Sequence, residues 1–253
     1  MNITSWNVNS LNVRLPHVLQ YLQETAPDIL GLQELKQTDA AIDRTALEAA
    51  GYHLASHGQK TYNGVALLAR APLTDIVRGI PGYADEQARA IAANVGDVRV
   101  LNLYVPNGKA VGDEKYTYKL HWLDAVTRYI DDIKREHPKL VIIGDYNIAP
   151  ADLDVHDPDK WRDQILCSAP ERQALANLLA LGFKDAYRTL HPDTQQFSWW
   201  DYRMGGLRRN IGLRIDLTLT SDALTLTDAD INTAPRHWER PSDHAPAWVN
   251  IKT

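Results

Sequence analysis

The sequence predicts an α/β fold of the α+β kind, in which β-sheets pack face to face and helices cover them. Strand-like runs recur along the whole chain, whereas helical stretches lie between only some of them, so a regular βαβ alternation is not expected. At 253 residues the chain is short enough to form one large domain, and no linker, repeat or low-complexity tract divides it. We therefore predict a single domain over residues 1–253.

Eight apolar or alternating runs predict the strands. In chain order they are ITSWNV, DILGLQ, NGVALLA, RAIAANV, VRVLNLYV, LVIIGDY, RIDLTLT and AWVNI. Three stretches predict helices. VRLPHVLQYLQET is amphipathic, the segment between Lys115 and His137 repeats apolar residues at helical spacing, and ERQALANLLALG forms the third.

Composition excludes several classes of protein. A formal net charge of −5 argues against a nucleic-acid binder that relies on charge alone. The single cysteine, Cys167, cannot form an intrachain disulfide, and no apolar run approaches the length of a membrane span. The N-terminus lacks the pattern of a secretory signal. We expect a soluble, cytoplasmic protein that does not contact a membrane.

Polar side chains recur where predicted strands begin or end. These residues are Asn7, Glu34, Tyr104, Asp145, Asn147, Asp216, Asp243 and His244. Each has an ordinary structural explanation, because Asp and Asn form turns, Glu occupies solvated edges and Tyr packs in cores. Asp216 is harder to explain in this way, since it interrupts the apolar alternation LRIDLTLT on the opposite face from its leucines.

If these strand ends converge, the oxygen ligands suit Mg²⁺ or Mn²⁺ rather than zinc, which prefers His and Cys. Glu34 and Asp243 are the candidate ligands. Such a metal acts as a Lewis acid on a phosphoryl oxygen.

The remaining side chains could perform the rest of a hydrolysis. Asp216 could hold the imidazole of His244 in one tautomer, and Asp145 could orient or deprotonate a water. Asn147 and Tyr104 could hold phosphate oxygens. The pattern therefore indicates metal-assisted hydrolysis of a phosphoester. We find no G-x-S-x-G motif and no P-loop, and Cys167 is better explained as a buried thiol than as a nucleophile.

Eight strings, in this order, resemble the exonuclease III family of the endonuclease/exonuclease/phosphatase superfamily. They are SWNVNSL, PDILGLQELK, GQKTYNGVALL, LYVPNG, GDYNIAP, FSWWDYR, GLRIDLTLTS and RPSDHAP, and they run from the N-terminus almost to residue 250. The resemblance is specific to bacterial members of that family. It implies a four-layer sandwich of two mixed β-sheets flanked by helices.

The resemblance also implies roles for the polar residues. Glu34 resembles the principal metal ligand, with Asn7 and Asp243 nearby. Asp145 resembles the residue that activates the attacking water, and Asn147 a transition-state contact. Tyr104 resembles a phosphate contact that also supports the leaving group. His244, oriented by Asp216, resembles the imidazole bonded to the scissile phosphate.

A second set of positions resembles the family's DNA-binding residues. They are Asn9, Lys36, Asn107, Trp199, Arg208, Arg209, Leu213 and Ile215. Trp199, Leu213 and Ile215 match the lining of a pocket for an extruded sugar, although core packing is an alternative explanation of FSWW. The arginine-rich stretch from Arg203 to Arg214 is then expected to bind phosphates, although a solvated loop would have the same composition.

One position departs from the pattern. Some relatives have Asp two residues after the first Asn, whereas this chain has Asn9. One anionic ligand is therefore absent, which argues against a second metal at that corner. Asn9 is expected to contact DNA instead.

These observations predict a Mg²⁺- or Mn²⁺-dependent DNA repair nuclease that acts as a monomer on double-stranded DNA with abasic sites or 3′ ends. The expected activities are 3′→5′ exonuclease, cleavage 5′ to abasic sites and 3′-end trimming. Two alternatives stay open: a superfamily phosphatase acting on a small molecule or lipid head group, and a non-catalytic nucleic-acid-binding regulator.

Overall fold

The fold is built on two six-stranded β-sheets, and the computed structural model describes residues 1–252. In chain order the strands are β1 (Asn2–Asn7), β2 (Ile29–Gln33), β3 (His53–His57), β4 (Val65–Ala69), β5 (Leu73–Arg78), β6 (Ala90–Val95), β7 (Val98–Tyr104), β8 (Leu140–Asp145), β9 (Phe183–Asp185), β10 (Asp216–Ser221), β11 (Thr225–Ile231) and β12 (Ala247–Lys252). The helices are α1 (Leu11–Thr25), α2 (Arg44–Ala49), α3 (Glu114–Glu136), α4 (Pro158–Trp161), α5 (Ala169–Leu179) and α6 (Ala186–Leu190).

Both sheets are mixed. The first has the order β11-β12-β1-β2-β4-β3, and the second has the order β5-β6-β7-β8-β10-β9. Within residues 1–252 only β1 with β2 and β7 with β8 pair in parallel, and α1 and α3 make the respective crossovers. The predicted two mixed sheets flanked by helices are confirmed. All eight predicted strands form and occupy the inner positions, and the three predicted helices correspond to α1, α3 and α5.

Three apolar layers hold the sandwich together. Between the sheets, side chains such as Ile3 and Ile29 meet Val100 and Val141. Outside the first sheet, α1 packs on side chains that alternate with the inner ones along each strand, such as Leu30. Outside the second sheet, α3 and α5 form the corresponding layer. Burial on both faces explains why the inner strands have nearly continuous apolar sequences.

This topology brings several strand ends to one edge of the sandwich. The parallel strands β1 and β2 end there, and so do β7 and β8, while the antiparallel β10 begins there. In register, Asp145 pairs with both Tyr104 and Asp216 across neighbouring strands. No helix in the first 252 residues has the length and apolarity needed to cross a membrane.

Candidate active site

The polar residues predicted from strand ends meet at this edge. Asn7, Tyr104 and Asp145 are the last residues of β1, β7 and β8, and Asp216 is the first residue of β10. The others stand in the connecting loops, namely Glu34 after β2, Asn147 after β8, and Asp243 with His244 before β12.

The backbone turns sharply as it leaves β2 and β8. Glu34 has φ of 55° and Asn147 has φ of 49°, both in the left-handed region that side chains other than glycine rarely adopt. Such positions typically carry a free-energy penalty of about 1–3 kcal/mol and persist only where surrounding contacts enforce them. The turns aim both side chains back over the edge of the sheets.

Four side chains, Glu34, Asp145, Asp216 and His244, form what we call the acidic centre. Ligand atoms of Glu34, Asp145 and His244 lie within 4.8 Å of one another, the one such group of metal-binding side chains found among residues 1–252. Three carboxylates face one imidazole here. A divalent cation would balance this excess of negative charge, and carboxylate oxygens are the ligands that suit Mg²⁺ or Mn²⁺.

Asp145 lies at the middle of the acidic centre and is only 1% exposed. Its Oδ1 accepts the Asn147 backbone N–H at 2.9 Å, and its Oδ2 accepts the Asn7 amide at 2.9 Å. Burial raises the pKa of Asp145 to about 7, against the opposing pull of His244. A carboxylate poised near neutral pH is suited to accept a proton from water.

Asp216 orients His244. Its Oδ2 lies 2.8 Å from His244 Nδ1 and also accepts the Ser198 hydroxyl at 2.6 Å. The imidazole therefore points Nε2 towards Asp145, whose Oδ2 is 3.8 Å away. Burial alone would lower the pKa of His244, but the Asp216 and Asp145 carboxylates outweigh it and raise the pKa to about 10. His244 is thus cationic at neutral pH, with Nε2–H free to donate into the site.

Glu34 is held from three sides. Tyr104 and Asn7 each donate to its Oε1 at 2.9 Å, and the Lys36 ammonium lies 2.9 Å from Oε2. Burial tends to raise the pKa of Glu34, but the Lys36 charge and the Asn7 hydrogen bond hold it below its ordinary value. Burial and the neighbouring Glu34 and Asp145 carboxylates raise the pKa of Tyr104 well above its usual range, so its hydroxyl remains a donor.

Asn147 and Asn107 form a pair beside Asp145. The Asn107 amide donates to Asn147 Oδ1 at 3.1 Å, and Asn147 donates to the Val105 carbonyl at 3.0 Å. Beneath them Lys119, fully buried on α3, donates to the Asn147 carbonyl at 2.6 Å and to Asn107, and it pairs with Glu171. The loops after β7 and β8 are therefore tied to one ammonium group.

Sequence reasoning missed Lys119 and Ser198, which support the site without facing it. Lys119 precedes Trp122, Leu123 and Val126 at helical spacing, so a lysine aligned with the apolar face was the available signal. Ser198 stands inside the string FSWW, and its hydroxyl also accepts the backbone N–H groups of Ile215 and Asp216. Neither residue has a motif of its own.

Asp243 lies outside the metal-binding group. Its Oδ1 accepts the Asn9 amide at 2.9 Å, and its Oδ2 accepts the Trp199 indole N–H at 3.0 Å. Asn9 in turn accepts from Lys36 at 2.5 Å. In the structure Asp243 thus contacts the predicted DNA-binding residues directly, and it reaches Glu34 only through Asn9 and Lys36.

Trp199 and Leu213 line a cavity of about 960 Å³ next to the acidic centre, which we call the Trp199 pocket. Trp161, Met204, Arg209 and Ile211 complete much of its wall. Leu213 is 0% exposed, and Ile215, the third predicted pocket residue, is 1% exposed, so both pack in the apolar cluster beneath Trp199. Trp200 is buried behind the pocket, as core packing requires.

The arginine-rich stretch divides into two parts. Arg208 and Arg209 are exposed, and Arg203 pairs with Asp201 at the surface. The expectation that Arg214 binds phosphate is wrong, because its side chain is 0% exposed. Arg214 is 2.7 Å from both Asp154 and Asp185, and Arg188 is 2.6 Å from Asp154. We call these four residues the Arg214 cluster.

The arrangement can bind a divalent cation, activate a water and donate hydrogen bonds to an anionic centre from several directions. Lys36, His244, Tyr104 and Asn147 provide the donors, and the Trp199 pocket lies beside them. These are the requirements for attack on a phosphorus atom within a polymer, where a neighbouring residue of the substrate also needs a binding surface.

Comparisons with known proteins agree with this chemistry. A model of the Endonuclease/Exonuclease/phosphatase family matches residues 4–244. The exodeoxyribonuclease III of Haemophilus influenzae is 38% identical over 271 residues, covering 100% of both chains. Among solved structures, the 3′ phosphatase NExo from Neisseria, bound to a product DNA hairpin, has 46% identity and a TM-score of 0.99 with 100% of both chains covered. An AP endonuclease from Archaeoglobus fulgidus has 34% identity and a TM-score of 0.96, also over 100% of both chains. The chain belongs to the Endonuclease/Exonuclease/phosphatase family.

Proposed function

We propose that this protein is a divalent-metal-dependent DNA nuclease of exonuclease III type. It hydrolyses the bond between phosphorus and the 3′ oxygen, which leaves a 3′-hydroxyl on one product and a 5′-phosphate on the other. The observation that carries the proposal is the acidic centre, which lies next to the Trp199 pocket because the backbone of Trp199 bridges to that of His244. The names of its relatives in Haemophilus, Neisseria and Archaeoglobus support it.

Mg²⁺ or Mn²⁺ is the proposed cofactor. Glu34 would hold it, with Asn7 beside it, and the excess of carboxylates in the acidic centre fits a divalent cation. When bound, the metal supplies Lewis-acid stabilisation of the charge that develops on the phosphoryl oxygens.

His244 binds the scissile phosphate. The Asp216 contact keeps Nδ1 occupied, so Nε2–H is the donor that faces the substrate. Because the imidazole is cationic at neutral pH, it stabilises the additional negative charge of the transition state more strongly than a neutral donor would.

Asp145 accepts the proton of the attacking water. Two donors, the Asn147 N–H and the Asn7 amide, fix the orientation of the carboxylate. Asn147 stands beside it and can orient the phosphate for in-line attack. The Tyr104 hydroxyl, kept protonated by its surroundings and hydrogen-bonded to Glu34 in the structure, would turn its O–H towards the oxygens of the phosphate and the leaving group when substrate binds.

The proposed substrate is double-stranded DNA with a 3′ end or an abasic site. An end nucleotide or a sugar without a base can enter the Trp199 pocket, where the indole offers an apolar surface and Leu213 packs behind it. Arg208 and Arg209 are exposed next to it and can neutralise backbone phosphates. We further propose that the protein acts as a monomer in the cytoplasm.

The test uses two duplexes with Mg²⁺. One carries a single internal abasic analogue with both 3′ ends blocked, and the other is matched but has free 3′ ends. We expect metal-dependent cleavage of at least one duplex, with 5′-phosphate products and no cleavage in EDTA. Cutting at the analogue assigns the abasic endonuclease activity, and resection of the free ends assigns the exonuclease activity. Hydrolysis of small phosphoesters while both duplexes stay intact would overturn the proposal.

A further inference from the structure

A continuous hydrogen-bonded chain runs from the wall of the Trp199 pocket to the acidic centre. The Trp199 indole N–H donates to Asp243 Oδ2 at 3.0 Å, and the Asn9 amide donates to Asp243 Oδ1 at 2.9 Å. Lys36 donates to Asn9 Oδ1 at 2.5 Å and lies 2.9 Å from Glu34 Oε2. Five side chains thus connect the pocket wall to a metal-binding carboxylate.

The hydrogen-bonded chain from Trp199 to Glu34 has little freedom to rearrange. The backbone of Trp199 is paired in both directions with Leu213, at 2.9 and 3.0 Å, so the indole can move only through its side-chain torsions. Asp243 has each oxygen engaged by a different donor, and the Asn9 amide is engaged at both its nitrogen and its oxygen. A rotation of the indole would therefore either break its hydrogen bond to Asp243 Oδ2 or draw Asp243, and with it Asn9, along.

The residue at position 9 determines which groups donate and which accept along this hydrogen-bonded chain. A neutral amide can donate to Asp243 and accept from Lys36 at the same time, whereas a carboxylate at position 9 would repel Asp243. Asn9 accordingly lets Asp243 remain an acceptor for Trp199. In this protein the departure from the N-x-D pattern at Asn9 therefore has a structural consequence beyond the loss of one anionic ligand.

We propose that Asp243 is a positioning residue that fixes the Trp199 indole and, through Asn9 and Lys36, couples the pocket wall to Glu34. The proposal rests on the proposed nuclease function of the same site. A substrate residue that packs correctly on Trp199 keeps the chain intact and Glu34 in place. One that tilts the indole loosens Glu34, so the pocket influences the chemical step as well as binding.

Trp199→Phe tests this coupling, because it keeps an aromatic face and deletes only the indole N–H and part of the ring. We expect kcat on a 3′-end substrate to fall about fivefold, the size of one hydrogen bond, with KM changed less than about twofold. Calorimetric titration of the DNA-free protein should show Mn²⁺ binding weakened by a smaller factor in the same direction.

Trp200→Phe is the matched control. Its indole N–H donates to Asn210 at 3.1 Å, away from the acidic centre, so kcat and Mn²⁺ affinity should match wild type. The double variant Trp199→Phe with Asp243→Asn adds a second criterion. If both residues act in the same hydrogen-bonded chain, the kcat of the double variant should be no lower than that of Asp243→Asn alone.

Independent, multiplicative losses in the double variant would contradict the coupling, and so would wild-type kcat and Mn²⁺ affinity in Trp199→Phe. Either result would leave the nuclease proposal intact, because wild-type cleavage is measured separately. If the wild-type protein cleaved neither duplex, the nuclease proposal would fail, and the Mn²⁺ titrations would still test the chain.

Discussion

The acidic centre and the Arg214 cluster are both buried groups of charged side chains, but their charges are balanced differently. The Arg214 cluster sets two guanidinium groups against two carboxylates, with contacts of 2.6 to 2.7 Å. The acidic centre sets three carboxylates against one imidazole, with the partly exposed Lys36 ammonium beside Glu34. Arg214 and Asp216 are separated by a single residue.

The contrast distinguishes buried charges that stabilise the fold from buried charges that take part in the chemistry. Buried charges that are fully paired hold a fold in one arrangement, and removing one partner leaves the other uncompensated. Buried charges that are not balanced within the protein have perturbed pKa values, and a bound ligand can balance them. Both properties are typical of catalytic sites. We therefore expect substitutions in the two groups to act on different measured quantities.

The largest expected effect is on turnover, in the acidic centre. Asp145→Asn should lower kcat about 10³-fold, because an amide cannot accept the proton of the attacking water. Single-turnover cleavage of an end-labelled duplex measures the loss. The control is Asp159→Asn, which makes the same charge change at an exposed position and should cleave like wild type. Wild-type turnover in Asp145→Asn would remove the proposed base.

A smaller loss, about 10²-fold, is expected for Asp216→Asn, because His244 loses both its orientation and its charge partner. The carboxylate stabilises the imidazolium, so its removal should lower the pKa of His244 from about 10 towards its ordinary 6.5. NMR titration of the imidazole resonances reads this shift directly. An unmoved midpoint would mean that Asp216 does not control the protonation of His244.

The smallest effect is expected in DNA affinity, and it sharpens the distinction within the arginine-rich stretch. Replacing Arg208 and Arg209 together by Ala should reduce the slope of log affinity against log salt by about one to two. The exposed Arg128 on α3, paired with Asp124, is the control and should leave the slope unchanged. A slope equal to that of wild type in the double variant would show that these arginines do not contact phosphate.

The sequence predicted the inner part of the fold and missed its rim. The four strands that went unpredicted, β3, β5, β9 and β11, are the four edge strands of the two sheets. An edge strand is solvated on one side, so it needs no continuous apolar run, and β9 has only three residues. Apolar periodicity therefore recognises strands that are covered on both faces and has little to detect at an edge.

The residues that face the acidic centre were predictable because they recur at strand ends, and their resemblance to a family gave them roles. Arg214 was not, because an arginine in a polar, glycine-interrupted stretch has the same sequence pattern whether it faces solvent or buried carboxylates. Its partners Asp154 and Asp185 lie 60 and 29 residues away in sequence. Only the tertiary structure reveals which arginines of the stretch are free to meet DNA.

The most direct test of the contrast is the free energy of unfolding of Asp145→Asn and Arg214→Leu, measured by urea titration at pH 8 without metal. Because burial raises the pKa of Asp145 to about 7, ionising it destabilises the folded state as pH rises from about 4 to 7, and this penalty is fully present at pH 8. We predict that Asp145→Asn is as stable as wild type or more so, whereas Arg214→Leu loses about 3–5 kcal/mol. Comparable destabilisation of both variants would contradict the division between a balanced scaffold cluster and an unbalanced catalytic one.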